Sequence, residues 1–152
     1  MAERRELELN DLDGVLGELD RLQQRGYDEA GQWDLAQVCW HCALPLGEAL
    51  DGFSFKPPLF VRLMVKVMGV KDKLFRTRKI KPGFKAPGPF VPPSDLDEQE
   101  QVAKLCQAIE RFKAHNGAFL IHPVFGEFSA ERWHQFVTIH TMHHLAFLLP
   151  KN

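Results

Sequence analysis

Residues 129–149 read Ser-Ala-Glu-Arg-Trp-His-Gln-Phe-Val-Thr-Ile-His-Thr-Met-His-His-Leu-Ala-Phe-Leu-Leu. Ser129 is a good N-cap and Pro150 a stop, so the run predicts a helix from about Ala130 to Leu149. At ~100° per residue, Phe136, Val137, His140, His144, Phe147 and Leu148 fall on one stripe, with His140 and His144 about 40° apart near its centre. Two imidazoles therefore point into the core. An i, i+4 pair spans about one turn, which lets both rings reach a single ion at the ~2.0–2.1 Å of a zinc–nitrogen bond. His143 lies towards the flank of the stripe and is expected at the rim of such a site or behind it.

A third ligand has to come from another element. The run from Trp33 to Leu50 is apolar nearly all round in its middle, which suggests a buried helix starting near Trp33–Asp34 and ending before Gly52. His41 sits in that run, where an unpaired imidazole is costly to bury. Pro45 has no N–H, so the carbonyl of His41 loses its i+4 partner and the helix should bend beside the candidate ligand. A single buried histidine more often hydrogen-bonds a carbonyl or another side chain than binds a metal. The core-facing pair, joined by a third buried histidine, is what moves the reading towards an ion held by His41, His140 and His144.

Three further helices surround these two. Asn10 is placed to cap an amphipathic helix from about Asp11 to Arg25, with Leu12, Val15, Leu16, Leu19 and Leu22 at spacings of three and four and Gly26 as its stop. Pro57 and Pro58 open a short helix over 58–68. Residues 79–93 hold five prolines and two glycines, an irregular crossover loop. Ser94 is placed to cap a helix whose apolar stripe is Val102, Leu105, Cys106, Ile109 and Phe112. Four long helices, one short helix and no convincing pair of strands read as an all-α, up-and-down four-helix bundle with a long central crossover, one domain over 1–152.

Composition agrees. A chain of 152 residues with 45% hydrophobic and 26% charged residues has the make-up of one ordinary globular domain. No run approaches the ~20 apolar residues of a membrane span, and the charged N-terminus has neither the apolar core of a signal peptide nor the acid-poor character of a transit peptide. Three cysteines suit a reducing compartment, so a cytoplasmic protein is the simplest expectation. Cys39 and Cys42 have Cys-x-x-Cys spacing, but inside a helix, with no βαβ pattern and no second pair; they read as packing residues rather than a redox, haem or structural zinc motif.

The stretch from Gln32 to Cys42 with its Trp33 and His41, the segment His122-Pro-Val-Phe-Gly126, and Trp133 followed by His140-Thr-Met-His-His144 resemble the DinB/YfiT-like superfamily of metal-binding four-helix bundles. The likeness covers residues 7 to 149. It implies a divalent metal, zinc or nickel, held by one histidine of the second helix and a His-x-x-x-His pair of the last, which match His41, His140 and His144. Characterised members of that superfamily include thiol S-transferases and a thiol-dependent isomerase, so it also implies a low-molecular-weight thiol as substrate or cosubstrate. Relatives often pair through their bundles, which leaves room for a homodimer.

Other candidates are weaker. His122 precedes the last helix and could fold over the metal, although a turn fixed by Pro123 and Gly126, with His122 bonded to backbone, is the simpler reading. Glu48 and Glu127 are the carboxylates to inspect as general base, because a water activated by metal needs a proton acceptor within reach. Residues 52–93 carry ten bases and one acid, against four bases and twelve acids in 1–51. The basic segment Lys56 to Lys85 could attract an anionic ligand or surface, but balancing the acidic first helix is the preferred reading, with neither nucleic acid nor membrane expected as partner. The leading expectation is thus a metal-dependent thiol transferase or hydrolase acting on a small molecule, with an open coordination position. The competing class is a non-catalytic binding or dimerisation module with a structural metal or none.

Overall fold

Helix boundaries follow from which side chains complete the backbone hydrogen bonds at each end. The protein is described by a computed structural model covering residues 3–152. Helix α1 (Leu12–Arg25) starts where Asp11 accepts a bond from Gly14 N at 2.9 Å, so the cap lies one residue beyond the expected Asn10. Helix α2 (Leu35–Asp51) opens on a reciprocal box: the Asp34 carboxylate accepts from Gln37 N at 2.8 Å, and the Gln37 amide oxygen accepts from Asp34 N at 3.1 Å. Pro45 lies inside α2, as expected.

Two short helices follow, not one. α3 (Leu59–Val67) ends at Met68, Gly69 turns the chain at φ 63°, and α4 (Val70–Thr77) continues from it. The apolar pattern does not reveal α4, because lysines and arginines break it and only Leu74 is buried. α5 (Glu98–Ala114) is capped by Asp97, which accepts from Glu100 N at 2.8 Å, so the expected cap Ser94 stands three residues too early. α6 (Ala130–Leu145) begins at Ser129 as expected but stops four residues short of Leu149.

The missing end of α6 is a strand. β2 (Leu148–Pro150) pairs antiparallel with β1 (Tyr27–Glu29), Tyr27 facing Pro150 and Glu29 facing Leu148, which corrects the expectation of no strand pair. Three-residue strands are too short to show a two-residue period, so nothing in the residue pattern announces them. The chain is accordingly mostly helical, with a two-stranded clasp. Among the described residues no helix is long and apolar enough to cross a membrane.

α2 packs against α5 and α6, and α1 against α6 and α5, around a core in which Leu19, Leu22, Leu105, Ile109, Trp133 and Leu145 are fully buried. The clasp positions the site. β1 leads into α2 and β2 follows α6, so pairing them sets the start of α2 beside the end of α6. Ala30 N donates to Phe147 O at 2.8 Å, and the Tyr27 hydroxyl accepts from Leu35 N at 3.0 Å while donating to Glu98 at 2.8 Å. The hydroxyl thereby ties the clasp to the first turns of α2 and α5.

Candidate metal centre

His41 lies in the second turn of α2, and His140 and His144 lie in the last turns of α6. The clasp brings these turns together, and one ligating atom from each ring lies within 4.8 Å of the others. Ring centroids are 5.0 Å apart for His41 and His140, 4.6 Å for His41 and His144, and 4.8 Å for His140 and His144. This is the one such cluster of ligand-type side chains among the described residues, and no carboxylate or thiol joins it.

The hydrogen bonds fix which nitrogens are free. His41 Nδ1 donates to the Phe90 carbonyl at 2.8 Å, so in the neutral ring Nε2 carries a lone pair and faces His140 Nε2 at 3.1 Å. Two nitrogens bound to one ion at ~2.0–2.1 Å lie about 3.0–3.4 Å apart, so this separation fits a shared ion. His140 Nδ1 is buried without a partner, and among the described residues no protein N–H outside the trio donates to any of the three rings. Three neutral imidazoles carry three lone pairs in all. A cation would supply the electrophile that the surrounding side chains do not, which is the sense in which this donor set fits a divalent metal.

Protonation does not compete. Burial, reinforced by the neighbouring His144, His41, His143 and His122, holds His140 well below the usual imidazole range. Burial, with His41 and His143 adding to it, pushes His144 down to about 2. His41 is lowered by burial against the opposing pull of the Phe90 carbonyl. All three are thus neutral at pH 7, the form a metal binds. His41 is buried, while His140 and His144 keep partial solvent access.

Trp33, just before α2, packs on two of the three rings: it lies 4.9 Å from His41 and stacks at 5.3 Å on His144, with 24° between planes. His143 stands behind His144 at 4.8 Å, and its Nδ1 accepts from the Arg4 guanidinium at 2.8 Å, so its remaining nitrogen bears the proton. Burial and Arg4 push it down to about 4. In the sequence Trp33 marks only the start of a helix and part of the family likeness, and nothing there points to Arg4 or the Phe90 carbonyl. Phe90 lies in the proline-rich stretch, whose irregular backbone has no periodicity from which its aim could be read.

His122 is elsewhere. It pairs with Gly126 in a tight turn, where its Nδ1 accepts from Val124 N and Phe125 N at 3.1 Å each. Its ring is packed by Phe125 at 4.9 Å and Phe136 at 5.0 Å, and Phe136 in turn stacks on His140 at 6.1 Å. Burial and Lys71 lower it to about 4. Glu48 is half-buried and accepts from Ser54 Oγ at 2.9 Å, and Glu127 is exposed, its carbonyl taken by Lys71 Nζ. Neither carboxylate bonds to the trio. Cys39 and Cys42 are buried, and burial raises both thiols, Cys42 to about 12, so both stay protonated and packed.

Residues 1–151 match the family described as "Protein of unknown function (DUF1569)". No curated protein and no solved structure matches the chain.

Proposed function

The chain belongs to the DUF1569 family, and from that premise and the chemistry of the site we propose that it is a metal-dependent enzyme of the thiol-transfer or hydrolytic type. In this reading His41, His140 and His144 hold one zinc- or nickel-class ion, and α1, α2, α5 and α6 form an up-and-down four-helix bundle of the DinB/YfiT type, with α3 and α4 set into its crossover. The observation that carries it is the cluster of three imidazole donors within 4.8 Å, supplied by distant parts of the chain and, among the described residues, bonded by no outside donor.

When bound, such an ion supplies Lewis acidity, bringing the pKa of a water to ~7 or deprotonating a thiol. The protein's own residues do the rest. The Phe90 carbonyl fixes the tautomer and tilt of His41. Three neutral imidazoles leave a doubly positive charge unbalanced, so the site favours an anionic donor from outside, a thiolate or a deprotonated water. Three protein donors rather than four are the pattern of a catalytic rather than a structural site. Trp33 limits access over His41 and His144, and the buried thiols Cys39 and Cys42 do not compete for the ion. Among the described residues no carboxylate stands at the trio to take a proton. A low-molecular-weight thiol with its own proton acceptor suits the site better than a substrate that needs one from the protein.

The test is elemental analysis of protein purified without an affinity tag, followed by a thiol-transfer and hydrolase panel on the protein and on His140→Ala. One ion per chain, with turnover lost in the variant, supports the reading. A bound ion with no turnover, and a fourth protein donor closing it, would make the centre structural.

A further inference from the structure

Helix α3 carries its apolar face outward. Leu59, Phe60, Leu63, Met64 and Val67 lie on one arc of about 140° at ~100° per residue. Leu59, Phe60 and Val67 are 75%, 68% and 78% exposed, and no residue of α3 is fully buried. Val61 and Val65, on the opposite side, are the half-buried positions. A contiguous apolar patch of this kind on a water-facing surface marks a binding face.

The charges on α3 itself have one sign. Arg62 and Lys66 flank the arc, both exposed, and among the described residues neither has a carboxylate within 4 Å. Among the described residues the basic segment forms no ion pair with α1, where the sequence reading has it balance that helix. Of its ten bases only Lys79 reaches an acid among the described residues, Glu6 at 3.9 Å, while Asp13 and Glu18 of α1 pair with Lys113, Arg5 and Arg21.

We propose that α3 docks on the surface of an anionic lipid bilayer, its apolar arc in the acyl boundary and Arg62 and Lys66 at the lipid phosphates. A planar anionic interface complements both features at once. A second copy does not, because pairing this face with itself sets Arg62 and Lys66 against their own kind in a segment with a single acid. The helix is also a ridge, with α4 as its main packing neighbour, and a ridge sinks into a soft interface without needing a matching groove. The expectation of no membrane partner comes from reading the basic segment as a balance for the acidic first helix and from the lack of a spanning segment; no base of the segment pairs with an acid of α1 among the described residues, and surface docking needs no span.

Sedimentation with vesicles of phosphatidylcholine alone, and of equal parts phosphatidylcholine and phosphatidylglycerol, tests the proposal on the full chain. Binding is expected only to the phosphatidylglycerol vesicles, weakening as salt rises. Arg62→Gln with Lys66→Gln should weaken it about thirtyfold, and Phe60→Ser with Leu63→Ser should abolish it. Both pairs are exposed, so helical content and Tm should stay at parent values, which circular dichroism checks. Failure to bind, equal binding to neutral vesicles, or binding unchanged in the serine variant overturns the proposal. Self-association of the parent without vesicle binding, lost in the serine variant, overturns it in favour of a second copy.

Discussion

His140 is the residue on which the proposed centre turns, since its Nε2 faces His41 and its Nδ1 is buried without a partner. His140→Ala should weaken metal binding at least ~100-fold, beyond the 10–100-fold typical of losing a group behind the ligands, while helical content holds; metal titration beside circular dichroism checks it. Retention of metal at parent affinity would remove the ligand assignment. Acid stability follows from the same rings. Unfolded histidines take up protons below about 6.5. Those of the folded protein resist, with His122 and His143 near 4, His144 near 2, and His41 and His140 lowered. The unfolded state therefore binds more protons as pH falls below about 6.5, and stability drops from there towards about pH 4. Thermal melts of the metal-free protein should be level above about 6.5 and fall steadily below it; a level profile down to about pH 4 would refute neutral, buried imidazoles. At this scale the sequence is informative where helical spacing aims a side chain, as for His140 and His144. It is silent on Phe90 and Arg4, whose contacts with the histidines span 49 and 139 residues.

At the scale of elements, the start of α2 is the part that holds His41 in place. Asp34→Ala removes one half of the capping box and should cost about 1 kcal/mol, a fall in Tm of roughly 2–4 °C for a chain of this size. It should also loosen metal binding, because the cap adjoins Trp33, which packs on His41 and His144; an unchanged affinity would uncouple the cap from the site. The clasp gives a second check. Leu148 is fully buried on β2, and Leu148→Ala should cost about 2–5 kcal/mol as a core truncation, whereas urea melts showing no loss would place it outside the core. Long helices are legible because their apolar residues recur over several turns, as Leu12, Val15, Leu19 and Leu22 do in α1. Their ends are less so: Asp97 displaces Ser94 as a cap because both are good acceptors, and only backbone geometry chooses between them. The end of α6 is hidden in the same way, since Phe147 and Leu148 fit the helical stripe although the chain has left the helix after Leu145 and turned into β2.

For the whole molecule, the helical class and the gathering of three histidines from distant segments are both readable, the second because burying an imidazole demands a partner. The outward face of α3 is not, since Leu59, Phe60 and Leu63 look like core residues until packing shows that they stay exposed. The histidine trio is thus the feature that helical spacing and three-dimensional packing reach by separate routes, and the proposed metal site and function depend on it. X-ray absorption at the metal edge, on protein purified without a tag, probes it at the bond lengths themselves. One ion per chain is expected, with three imidazole nitrogens at about 2.0–2.1 Å and no sulfur from the protein. A metal-free protein, or sulfur scattering near ~2.3 Å that disappears with Cys39 or Cys42, would contradict it.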